Sequence, residues 1–193
     1  MPTRLVLASS SPYRRELLDR LRVPYTVMSP EIDETPMKNE TPRATAVRLA
    51  EVKARTVAAR YPAALIIGSD QVAELEGAAI GKPGTHENAL LQLLAMRARA
   101  AVFHTALCLL DSRTGEAQVD ETPTTVHFRP YSEAQAEAYL RQEQPYDCAG
   151  SAKIEKMGIA LVERVISDDP TALIGLPLIA LTRMLERAGV RIL

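Results

Sequence analysis

The residues that could do chemistry fall in a few short stretches. Ser9-Ser10-Ser11-Pro12-Tyr13-Arg14-Arg15 sets three hydroxyls ahead of two adjacent arginines. Ser11 suits a helix N-cap and Pro12 the first helical position, so both arginines fall in a first helical turn. Cations there oppose the helix dipole, which favours acids at that end. An anion held by the guanidinium groups, the free backbone N–H groups and the serine hydroxyls would reverse that penalty. A solvated arginine pair would simply bear it. Lys53 shares a helical stripe with Ala46, Ala50 and Val57, so its ammonium either snorkels to the surface or is placed deliberately among small apolar residues. Lys82, in Gly81-Lys82-Pro83-Gly84, stands in a loop that could aim it at a phosphate, although this is no Walker A sequence.

Carboxylates supply the other half of the chemistry. Asp70 directly follows the apolar run Leu65-Ile66-Ile67 and its Gly-Ser, where a buried strand should emerge; there it could hold a divalent metal, accept a proton from water, or merely cap a turn. Glu31, Asp33 and Glu34 form an acidic loop open to the same choice between metal ligand and solvated turn. His86, His104 and His127 are scattered and read as structural. Arg and Lys for a polyphosphate, with carboxylates for metal and water, make up the inventory of phosphoanhydride hydrolysis.

Composition bounds the partners. The chain has 193 residues, 23 basic against 24 acidic, for a net charge of −1. That balance argues against a general nucleic-acid coat or a polybasic membrane binder, and 4% aromatics weakens an RNA-binding reading further. Cys108 and Cys148 stand far apart, which makes a disulfide framework or a structural zinc site unexpected. No apolar run is long enough to span a bilayer or to form a signal-peptide core, so a cytoplasmic protein is expected.

Elements must position these groups. Strand-like segments are expected at Arg4–Ala8, Tyr25–Met28, Ala63–Ser69 continued by Val72–Leu75, Val102–Leu110, Thr124–Phe128 and Ile159–Val165. Helical ones are expected at Tyr13–Leu21, from Pro42 to about Arg60, His86–Met96, Ser132–Gln142 and Leu176–Ala188, the last closed by Gly189. Ser112–Gln118 reads as a polar turn. The spacing predicts an α/β fold of one domain over 1–193, a mixed β-sheet flanked by helices around a central cleft between two lobes.

These motifs resemble those of the Maf family of nucleotide pyrophosphatases. Ser9 to Leu18 resembles that family's opening, and Glu31-Ile32-Asp33-Glu34, Lys53, Gly68-Ser69-Asp70-Gln71-Val72, Gly81-Lys82-Pro83 and Gly175-Leu176-Pro177 follow in its order along essentially the whole chain. The resemblance implies a cytoplasmic enzyme with a fold like that of the inosine-triphosphate pyrophosphatases. Such enzymes cleave nucleoside triphosphates to the monophosphate and pyrophosphate with a divalent cation, Mg or Mn. Tyr13, Gln71 and Glu155 depart from the commonest family pattern and resemble the YceF branch, whose members prefer 7-methyl-GTP; the resemblance makes them the specificity positions. It makes Asp70 the proton acceptor, and it fits Ser9, Arg14, Lys53 and Lys82 to substrate binding and Glu31 and Asp33 to the metal. The blurred segment Arg97–His104 takes no role from it. It implies a small-molecule nucleotide substrate, no nucleic-acid or membrane partner, and leans toward a homodimer. Two alternatives stay open: a nucleotide-binding regulator of cell division with weak hydrolysis, and a dTTP/UTP pyrophosphatase.

Overall fold

The computed structural model describes residues 4–193. Along them run β1 (Arg4–Ala8), α1 (Pro12–Asp19), β2 (Thr26–Met28), α2 (Pro42–Ala58), β3 (Ala64–Leu75), β4 (Ala78–Ile80), α3 (His86–Met96), β5 (Ala100–Asp111), β6 (Ala117–Phe128), α4 (Glu133–Glu143), β7 (Val162–Ser167) and α5 (Leu178–Arg187). The strands form one mixed seven-stranded sheet in the order β2-β1-β3-β5-β6-β7, with β4 folded back on β3. β1 lies parallel to β2 and β3, while β3, β5, β6 and β7 pair antiparallel in turn. The expected mixed α/β architecture is therefore present.

Alternation along the strands feeds two faces. Even-numbered Val6, Ile66, Ala106 and Cys108 pack under Ala46, Ala50, Ala54 and Val57 of α2. Odd-numbered Leu5, Leu7, Leu65, Ile67 and Leu107 pack under Leu17 and Leu18 of α1 and Leu181 and Leu185 of α5. Farther along, Ala73 and Phe103 join Phe128 in meeting Leu93 and Met96 of α3 and Tyr139 and Leu140 of α4. The face that α2 turns to the sheet is rich in alanine, so its backbone comes unusually close. A Cβ on Gly68 would lie 2.1 Å from the Ala50 carbonyl oxygen and 2.9 Å from the Ala54 nitrogen.

Several boundaries differ from those expected, each for a physical reason. β3 is continuous from Ala64 to Leu75, because Gly68 to Gln71 stay in the ladder with β5. The turn at Gly77 is a tight hairpin, Glu76 and Gly77 both at positive φ (51° and 85°), which returns the chain as the short β4. β6 starts at Ala117, not Thr124. Its polar first half, with Pro123, lies beyond the end of β7 and forms a sheet edge, where a missing N–H costs little. The last strand, expected from Ile159, starts only at Val162, because Met157–Leu161 form a 3-10 turn in which the Gly158 N–H donates to the Lys153 carbonyl. Gly189, at φ 82°, closes α5 as expected.

Strand register creates the cleft. Ala8, the last residue of β1, pairs with Gly68, so β3 overshoots its parallel neighbour and Asp70 stands beyond the end of β1. α1 leaves β1 on one face while α2 enters β3 on the other, and carboxyl ends of parallel strands at such a divergence are where open α/β sheets bind ligands.

The Gly68 contact yields a stability prediction. Gly68→Ala should force α2 off the sheet and lower the unfolding free energy by about 3 kcal/mol or more. A urea midpoint within experimental error of wild type would show that α2 can shift freely.

Candidate functional site

At the carboxyl end of β1, beside the part of β3 that overshoots it, lies a cleft of about 620 Å³ lined by Ser9 to Arg14, by Lys53 and Asp70, and by Gly81 and Lys82. The loop from β1 into α1 is ordered by its own hydroxyls. Ser9 Oγ accepts from the Ser11 N–H at 3.1 Å, and Ser11, the N-cap, accepts from the Arg14 N–H at 3.4 Å. Arg14 does not wave in solvent. Its Nε donates to the Gly175 carbonyl at 2.8 Å. Ser69 Oγ lies between that same carbonyl, at 2.9 Å, and that of Ala106, at 2.8 Å. Gly175 has φ 117°, a conformation that needs glycine.

Asp70 and Gln71 are neighbours on β3 and so serve opposite faces of the sheet. Gln71 Nε2 donates toward the carbonyls of Ala172 and Leu173 and toward Thr105 Oγ1, at 2.9–3.1 Å, holding the 3-10 turn before Gly175 beneath the cleft. That turn is fastened again by Asp169, 2% exposed, which accepts from the N–H of Ile179 at 2.7 Å and so caps α5 from outside the helix.

Asp70 turns the other way, toward α2. Lys53 and Asp70 are 5% and 6% exposed, and Lys53 Nζ donates to Asp70 Oδ1 at 2.5 Å. The same ammonium lies 2.7 Å from Glu34 Oε1, so one buried cation links the helix, the strand and the acidic loop. Burial would raise the Glu34 carboxyl, but the hydrogen bond and charge of Lys53, with Lys82 and Arg14 nearby, outweigh it and hold the group below its ordinary value. Burial pulls the Arg14 guanidinium down, against the attraction of Asp70 and Glu34. Five charged groups thus sense one another across a single cleft.

The structure brings together Ser9, Tyr13, Arg14, Lys53, Asp70, Gln71 and Lys82, all of which line the cleft. It does not bring Glu31, Asp33 or Glu155 there. Glu31 and Asp33 are exposed, and Asp33 accepts from the Thr35 N–H at 2.9 Å instead. Of the three acids in that loop it is Glu34 that reaches the cleft; the loop's irregular backbone gives the sequence no period by which to choose among them. Glu155 is exposed on the turn after Lys153. Sequence reasoning passed over Asp147, which lines the cleft, and Lys153, whose ammonium sits 5.6 Å from the centroid of the Tyr13 ring. The histidines lie outside the cleft lining: His104 bridges Glu74 and Glu121, both at 2.9 Å, and His86 bridges Tyr146 and Glu137.

Among the described residues no group of three His, Cys, Asp or Glu side chains converges. Asp70 and Glu34 do present two hard carboxylates on one ammonium. That set fits a small divalent cation which keeps several waters and takes its remaining oxygens from a phosphate chain.

A sheet whose parallel carboxyl ends carry a serine-rich helix start, three placed cations and two carboxylates defines a phosphate-handling α/β protein. The chain belongs to the Maf family: the family description "Maf-like protein" matches residues 4–188. It is 63% identical over 185 residues to a 7-methyl-GTP pyrophosphatase of Cupriavidus metallidurans, covering 96% of this chain and 93% of that one. It is 61% identical to a protein of the same name from Thiobacillus denitrificans, covering 98% of this chain and 94% of the relative. The solved structure of the Staphylococcus aureus Ham1 protein aligns with a TM-score of 0.48 at 18% identity, covering 66% of this chain and 73% of that one. No helix among the described residues is long and apolar enough to cross a membrane.

The depressed Glu34 carboxyl makes a pH prediction. A lowered folded-state value stabilises the protein above the ordinary carboxyl range, and the gain is lost as pH falls through the folded value. The stability gap between wild type and Glu34→Gln should therefore be full at neutral pH and shrink below the ordinary value of 4.5. Urea midpoints of the two proteins across that range would show it; a gap independent of pH would deny the Lys53 pairing.

Proposed function

We propose that this protein hydrolyses 7-methyl-GTP to 7-methyl-GMP and pyrophosphate, as a cytoplasmic enzyme that clears a modified nucleotide. The observation that carries the reading is Asp70: a buried carboxylate whose one oxygen is fixed by Lys53, set in a cleft with Arg14 and Lys82. The names of the relatives at 61–63% identity support the substrate.

The reaction adds water to the α-phosphorus and breaks the bond to the oxygen bridging to the β-phosphorus. Asp70, oriented through Oδ1, takes the proton from the attacking water with its other oxygen. Ser9, the helix start and Arg14 grip the triphosphate, and Arg14 is already aimed by the Gly175 carbonyl. Lys53 and Lys82 balance charge that develops on the departing pyrophosphate. Asp70 and Glu34 would hold the Mg or Mn ion, which when bound neutralises phosphate charge and polarises the reacting centre. Tyr13 and Gln71 border the same space and serve specificity, Gln71 through the turn that it anchors.

Asp70→Asn keeps shape and removes the basic oxygen, so turnover should vanish while fold and most nucleotide affinity persist. Near wild-type pyrophosphate release by the variant would refute the proton-acceptor role. Arg14→Ala and Lys82→Ala should each lose about 2–4 kcal/mol of transition-state binding, read as kcat/KM on 7-methyl-GTP. Changes of only a few-fold would remove both from the proposed phosphate grip. A panel with GTP, UTP and dTTP decides between this substrate and the unmodified nucleotides.

A further inference from the structure

The residues assigned above to the triphosphate leave one part of the cleft lining without a role. Tyr13, Asp147 and Ala149 line it, and Asp147 is the acid there, its side chain 63% exposed. A carboxylate repels phosphate, so this stretch suits the part of the ligand that carries N–H donors or positive charge. Behind it stands Lys153. It is 7% exposed and does not itself line the cleft, yet its ammonium lies under the Tyr13 ring and 3.5 Å from Asp147 Oδ1.

This lysine is built in from its backbone outward. Its N–H donates to Tyr139 Oη at 2.9 Å, and its carbonyl accepts from the N–H groups of Lys156 and Gly158, both at 3.0 Å. A Cβ on Gly158 would come within 2.6 Å of that carbonyl, so the turn admits only glycine. The approach to Lys153 is shaped as well. Gly150 and Ser151 both take positive φ, and Ser151 Oγ donates to Gln92 Oε1 at 2.6 Å. Desolvation would discharge a lysine so deeply placed, but Tyr13 and Asp147 outweigh it and keep the ammonium charged. Burial of Asp147 is likewise outweighed, by the Cys148 thiol and by Lys153, so its carboxyl sits below the ordinary range.

We propose that Asp147 is a specificity residue that reads the base, and that Lys153 is the positioning residue that holds Asp147 and Tyr13 in the wall. The proposal rests on the nucleotide reading above. Guanine offers N1–H and N2–H donors to a carboxylate, and methylation at N7 adds a delocalised positive charge that a carboxylate and an aromatic face both favour. GTP lacks that charge, and UTP lacks both the charge and the paired donors.

The test compares kcat/KM for 7-methyl-GTP, GTP and UTP in wild type, Asp147→Asn and Lys153→Met, with inorganic tripolyphosphate as a competing inhibitor. Asp147→Asn should cut the ratio of 7-methyl-GTP to GTP by about tenfold, the loss of one charge-assisted contact. It should leave inhibition by tripolyphosphate unaltered. Lys153→Met should raise KM for 7-methyl-GTP by about tenfold and lower kcat by less than about threefold, with Lys153→Arg restoring part of the loss. An unchanged ratio in Asp147→Asn overturns the base-reading role. Weakened tripolyphosphate inhibition in Lys153→Met overturns the positioning role, because Lys153 would then be a phosphate ligand. If Lys153→Met does not fold, Asp147→Asn decides by itself. If the wild-type enzyme fails to hydrolyse 7-methyl-GTP, the proposed substrate falls; direct titration with 7-methyl-GMP against GMP still reads Asp147, and equal affinity ratios in wild type and variant overturn it.

Discussion

A single ammonium organises this molecule. Lys53 is buried on α2 and holds Asp70 of β3 and Glu34 of the acidic loop at once. Burying an unpaired charge would cost several kcal/mol, so three segments must arrive together or none is comfortable. Their meeting depends on the close seating of α2 over Gly68, where even a methyl group would collide with the helix backbone. Chemistry and packing therefore share one constraint. The small residues that let helix and strand touch are what place the lysine beside the aspartate.

The opposite face of β3 solves a different problem. Ser69 and Gln71 point away from Lys53 and hold the turn that ends at Gly175, whose carbonyl in turn aims Arg14. One strand thus steadies the Asp70 carboxylate on one side and the Arg14 guanidinium on the other. The cleft lining carries three cations, Arg14, Lys53 and Lys82, and three acids, of which Glu34 and Asp70 share Lys53 while Asp147 pairs with Lys153 behind the wall.

What could be read in the sequence was whatever local physics dictates. Ser11 and Pro12 mark the start of α1, and the Leu65-Ile66-Ile67 run marks a buried strand that delivers Asp70; both stand where expected. The alanine stripe of α2 put Lys53 on the packed face. Residues whose placement depends on long-range contacts or on irregular backbone were not legible. Nothing local distinguishes Glu34 from Glu31 or Asp33, since only the position of Lys53 selects among them. The wall of Asp147 and Lys153 is set by Tyr139, Gln92 and Gly158 on three separate segments. β6 was half missed because its polar first part is a sheet edge, which has no apolar alternation to reveal it.

The Gly175 carbonyl has a consequence for how the protein is made. Arg14 reaches across 161 positions of chain to find it, and Ser69 across 106. On a ribosome the serine-arginine segment appears long before its anchor. Through most of synthesis, then, the arginine has no fixed direction and the cleft has no floor. The nascent chain can begin its sheet early, yet Arg14 is aimed only once the turn at Gly175 has emerged and folded back onto it.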